Sequence, residues 1–131
     1  MKLITRDTDY AIRALSCIAA SGKRAVSVND LAKELAIPRP FLRKILQALN
    51  RENLLKSYKG KGGGFRLVAD PAKVTVFDII EIFQGPFRLN EHLFKGRMCP
   101  RIKGCKLKKR IDSIEGQVIK ELKNITITSC L

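Results

Sequence analysis

Three consecutive glycines, Gly62 to Gly64, sit inside KSYKGKGGGFRLV (Lys56–Val68), directly after a segment with helical hydrophobic spacing. Glycine this dense is incompatible with a continued helix. Leu54 to Tyr58 before it and Phe65 to Val68 after it read as strands, so the chain is expected to fold back here as a β-hairpin. A phosphate cradle of the GxxxxGK type needs Ser or Thr after its lysine and a helix opening at that point. Gly64 is instead followed by Phe65 and Arg66 in extended sequence. Lys56, Lys59 and Lys61 make the tip basic, and glycine lets a turn approach a phosphate backbone closely. An ordinary flexible hairpin uses the same residues.

What precedes the hairpin narrows its meaning. Thr5 to Ser21 is helical: Tyr10, Ala14, Cys17, Ile18 and Ser21 share a face, widened by Ala11, Ile12, Leu15 and Ala19. Cys17 on that face reads as a small core hydrophobe. Gly22 ends the helix. In SVNDLAKELAI, Ser27 is an N-cap with Asp30 three residues on, in the style of a capping box, and Leu31, Ala32 and Leu35 face inward. Ile37 and Pro38 interrupt this helix. RPFLRKILQALNREN follows, with Leu42, Ile45, Leu46 and Leu49 at helical spacing and Arg39, Arg43, Lys44 and Arg51 on the other side. Two short helices, the second basic outside, form a helix-turn-helix pattern, and the hairpin after it makes a winged helix.

Beyond the hairpin, ADPAKVTVFDIIEIFQGP reads as an extended approach and a helix packed through Phe77, Ile80 and Ile79 or Phe83, stopped by Gly85 and Pro86. FRLNEHLFKGRMCPRIKGCK has no period and reads as an irregular loop. From Leu107 to Ile125 an apolar stripe returns at helical spacing: Leu107, Ile111, Ile114, Val118, Leu122 and Ile125. Such a stripe near the end of a small domain needs a partner, either its own domain or a second copy. The fold class is therefore mainly α with a small β-hairpin: a winged helix-turn-helix domain over 1–86, a cysteine-containing loop over 87–106, and a long C-terminal dimerisation helix with a tail over 107–131.

The 131 residues carry 26 Lys and Arg against 12 Asp and Glu, a formal charge of +14. An excess of that size points to a polyanionic partner, nucleic acid first and an anionic membrane second. No run reaches the ~18 apolar residues of a membrane span. MKLITRDTDYAIRAL has charges where a signal peptide is apolar. The expected location is cytoplasmic, where Cys17, Cys99, Cys105 and Cys130 are not expected to form structural disulfides.

In order, TDYAIRAL, SVNDLAKELAIPRPFLRKIL, GKGGGFRL and CPRIKGCKL, before a long helix, resemble the Rrf-two family of bacterial winged-helix transcriptional regulators, of the IscR, NsrR and CymR type. The resemblance spans nearly the whole chain. It implies a homodimer that binds palindromic double-stranded promoter DNA, as a repressor. The start of the third helix then lies in the major groove, and the wing lies against the minor groove and backbone. On this chain those positions are Arg39, Pro40, Phe41 and Arg43, with Lys44 beside them, and in the wing Ser57, Lys59 and Gly60, flanked by Lys56 and Lys61. Arginine is frequent in the family at the position of Lys59; lysine neutralises phosphate but lacks the guanidinium fork. Arg43 stands where one branch carries an acid. It suits guanine O6 and N7, or a phosphate.

The resemblance also implies an iron–sulfur cluster of the two-iron type (2Fe–2S), held in many members by three cysteines of the late loop. Here Cys99 and Cys105 match, with five residues between them, and the first position falls near His92, the only histidine. Histidine can replace cysteine on iron. Asp9 of the partner subunit matches the acidic fourth ligand of some relatives. Lys95, Arg97, Arg101, Lys103 and Lys106 surround the thiols, and positive charge favours the thiolate that ligates metal or is oxidised. The same residues suit a Cys99–Cys105 redox switch without metal, or a loop with no cofactor. The spacing is not the paired C-x-x-C of structural zinc.

Two other classes fit less of the chain. A small thiol-redox enzyme would use Cys99 and Cys105, but no acid–base set or nucleotide loop accompanies them. A membrane-surface protein would need an aromatic helix face that the basic helices lack.

Overall fold

The computed structural model describes residues 2–22, 24–89 and 104–130. The elements run α1 (Arg6–Ala20), α2 (Val28–Leu35), α3 (Arg39–Arg51), β1 (Leu55–Tyr58), β2 (Gly64–Leu67), α4 (Val76–Gln84), α5 (Lys106–Asn124) and a 3₁₀ turn at Thr128–Cys130. The fold is thus mainly helical with one small hairpin. Among the described residues no helix is long and apolar enough to cross a membrane.

Helices α1 to α4 each start where a side chain satisfies a free amide or a proline removes one. Thr5 caps α1 by accepting from the Thr8 amide, and Ser27 caps α2 by accepting from the Asp30 amide. The reciprocal capping box forms at α4, where Thr75 and Asp78 bond each other's backbone. Pro40 lies in the first turn of α3, where its missing N–H costs nothing. Between α2 and α3, Ala36 adopts a left-handed conformation, φ 54°, and the Ile37 amide returns to the Ala32 carbonyl at 3.2 Å. That turn fixes the angle at which α3 leaves.

The core gathers Leu15 and Ile18 of α1, Leu31 of α2, all four apolar positions of α3, Leu55, Phe65 and Ile79. The sequence-expected face of α1 is shifted: its buried residues are Thr8, Ala11, Ala14, Leu15 and Ile18, while Tyr10 and Cys17 lie at its edge. The buried Thr8 hydroxyl donates to Gln84 Oε1 at 2.7 Å, and the Thr5 amide donates to the same oxygen at 3.0 Å. Gln84 therefore ties the end of α4 to the start of α1.

The hairpin is antiparallel, pairing Leu55 with Leu67 and Tyr58 with Gly64. Each strand starts and ends within one residue of its expected limits. A third edge is unexpected: Val26 bridges Phe65, with amides and carbonyls exchanged at 2.8 and 2.9 Å. The chain's end also returns. The Ile127 amide donates to Val74 at 2.9 Å, the Val76 amide to Ile125 at 2.8 Å, and Ile127 is buried in the main core. Along α5 only Leu122 is buried; it packs with Val76 and Ile80 in a second cluster.

Candidate nucleic-acid interface

The apolar stripe of α3 faces the core, so its other residues are forced outward. Arg39, Pro40, Phe41, Arg43 and Lys44 are all exposed. In the wing Lys56, Ser57, Lys59, Gly60 and Lys61 are exposed as well. Strand alternation divides them. Leu55 and Ser57 lie on the face that carries buried Phe65, whereas Lys56 and Tyr58 lie on the other, with Arg66 paired opposite Lys56.

Among the described residues most cations carry no ion pair, those of these surfaces included. Among the described residues the ion pairs are Arg13–Asp9 and Lys108–Asp112. None of the six cations among the expected interface residues, Arg39, Arg43, Lys44, Lys56, Lys59 and Lys61, meets a carboxylate of the described residues. An uncompensated basic helix face beside a basic hairpin attracts a polyanion.

Aromatic rings hold Lys56, which the sequence offered, and two cations that it did not, Arg66 and Arg6. Lys56 Nζ and the Arg66 guanidinium each lie 5.6 Å from the Tyr58 ring centroid. The Arg6 guanidinium lies 4.9 Å from that of Phe41. The period-two pattern around Tyr58 was a usable signal for the first pair; nothing local joins residue 6 to residue 41.

The glycines act partly within the wing. A side chain at Gly64, φ 141°, would collide with the Val26 carbonyl, and one at Gly63 with the Tyr58 carbonyl. Behind the tip lies a cleft of about 910 Å³, lined by Cys17, Arg24, Ser27, Asp30, Glu34 and the tip glycines among others. Burial, then the hydrogen bond and charge of Glu34, push the Cys17 thiol up to about 11. Cys17 thus stays protonated at neutral pH and is a poor nucleophile there.

Of the expected metal ligands, His92 and Cys99 lie outside the described residues. Cys105 is the N-cap of α5, half-buried, with no side-chain capping bond. Its sulfur stands at the positive end of a 19-residue helix, beside Lys106. Asp9 is on α1, paired with Arg13 at 2.9 Å. The entry to the loop is anchored too, the Leu89 amide donating to Glu115 of α5 at 3.0 Å.

A helix-turn-helix whose second helix is basic outside, followed at once by a basic hairpin, defines a winged-helix DNA-binding protein. The family described as Rrf2, iron-dependent transcriptional regulator, matches residues 4–131, and the chain belongs to that family. A protein of Aquifex aeolicus classed among HTH-type transcriptional regulators is 36% identical over 126 residues, covering 88% of each chain. The HTH-type transcriptional regulator NsrR of Bacillus subtilis is 29% identical over 92 residues, 70% of this chain and 62% of its own. Among solved structures, CymR, the global cysteine regulator of B. subtilis, superposes with a TM-score of 0.83 at 23% identity over 99% of this chain and 96% of its own. T. potens IscR superposes with a TM-score of 0.75 at 21% identity over 99% and 85%. The family is one of transcriptional regulators rather than enzymes.

Proposed function

We propose that the chain is a homodimeric repressor that binds palindromic promoter DNA through α3 and the wing, and that the loop over 87–106 senses an iron–sulfur cluster or redox signal. The observation that carries the DNA-binding part is the unpaired basic surface of α3 and the wing on a winged-helix frame. Arg43 faces bases, and Lys59 and Lys61 hold phosphates. Apolar residues left uncovered on α5 support the dimer: Leu107 is 69% and Ile114 is 48% exposed. A second copy of the same helix buries them in a two-fold contact.

Cysteine and histidine are donor types that an iron–sulfur cluster takes. Cys105 offers a sulfur with no capping or disulfide bond among the described residues, at the positive end of α5, where an anionic group is stabilised. His92, Cys99 and Cys105 would hold it, with Asp9 of the partner subunit. When bound, a cluster supplies a redox-sensitive, oxygen-labile centre. Both loop ends attach to α5, through Leu89–Glu115 and Cys105, so the loop's state bears on the dimer helix and thereby on the distance between the two α3 helices.

Anaerobic purification with visible absorbance, iron and acid-labile sulfide assays tests the sensor. A brown protein with matched iron and sulfide, bleached by H92A, C99S or C105S, is the expected result. A protein that stays colourless after reconstitution contradicts the cluster and leaves redox-dependent DNA binding to reveal a thiol switch.

A further inference from the structure

We propose that Arg6, the first residue of α1, is a DNA-contacting residue. Phe41 holds its guanidinium against the first turn of α3, and it engages a backbone phosphate beside the bases that α3 faces. The inference rests on the duplex-binding reading above and adds a contact outside both α3 and the wing.

Four observations carry it. The Arg6 guanidinium lies 4.9 Å from the Phe41 ring centroid, within cation–π range. Phe41 is the third residue of α3 and is 43% exposed, so its ring is a surface platform rather than a core side chain. Arg6 is itself exposed. Among the described residues it has neither an ion pair nor a side-chain hydrogen bond.

The chemistry follows from the side chains. A guanidinium stacked on a ring keeps its planar set of donors and gives up little solvation. Its freedom is already reduced before a ligand arrives, which lowers the entropy lost on binding. Its backbone belongs to α1 rather than to α3, in a first turn that also carries Asp7 and Asp9. A phosphate flanking the groove is the anion that meets this geometry. Phe41 is a positioning residue for Arg6, whatever it touches itself.

The test uses the full chain and a duplex selected from a random pool, with affinity measured across a salt series for wild type, R6A, R6K, F41L and the R6A/F41L double variant. R6A should weaken binding to all sequences alike and lower the slope of log affinity against log salt by about 0.9 per protomer. R6K should restore the slope. R6A should cost less in the F41L background than alone, the signature of two residues acting together. Thermal melting should be unchanged in R6A and R6K, since neither alters the core. Wild-type affinity and slope in R6A, while R43A and K59A weaken binding, would overturn the Arg6 contact and leave the DNA-binding reading standing. A changed preference at one base pair with an unchanged slope would overturn the phosphate assignment. Failure of the wild type to bind any duplex would remove both.

Discussion

Gly64 shows how a single residue can serve the wing without touching a ligand. Its φ of 141° is hostile to side chains, and a Cβ there would strike the Val26 carbonyl, which belongs to the bridge that pins the hairpin to the helical core. Gly64→Ala is expected to destabilise the fold by more than about 1 kcal/mol, read as a lower denaturant midpoint. Cys17 has a pH signature. The folded thiol keeps its proton up to about 11, whereas the unfolded chain releases its proton near 9.0. The unfolded state thus binds fewer protons between those values, and stability that is complete below the window falls as pH rises through it. C17A should flatten this decline relative to wild type when denaturant midpoints are compared across alkaline pH. The sequence led to Cys17 as a core residue. Its raised pKa rests first on burial and then on Glu34, seventeen residues away on another helix, and no periodicity reports such a pair.

At the scale of elements, α3 was legible because its buried positions, Leu42, Ile45, Leu46 and Leu49, all recur at helical spacing. The hairpin was legible because glycines separate two short extended runs. Val26 was missed since a single bridging residue carries no pattern, and Ile127 because its burial depends on a return of the chain to Val74. α5 was legible as a helix, but its stripe did not reveal that only the end near Leu122 packs on its own domain. That division motivates a prediction: Ile114→Asp should convert dimer to monomer in sedimentation velocity while leaving the helical signal intact. Unchanged dimer would remove α5 from the interface. Within the interface, α3 and the wing should behave differently. Arg43→Ala should relax preference at one base position by roughly 1–3 kcal/mol if its contact is bidentate. Lys59→Ala should instead weaken all sequences equally and lower the salt slope by about 0.9 per protomer.

For the whole molecule, the charge of +14 and the placement of cations carry different information. Net charge predicts attraction to any polyanion; the proposed dimer, with one α3 from each copy, predicts a particular spacing on duplex DNA. The expected interface residues were nameable from the sequence because the motif orders them along the chain. Arg6 was not, since only folding brings it to Phe41. Selection of duplexes from a random pool by the purified, anaerobically handled protein tests the central claim most directly. Enrichment of a palindrome with half-sites about one helical turn apart is the predicted result. A pool that stays random, or one enriched for a single unpaired half-site, would contradict a dimeric regulator that reads DNA through α3.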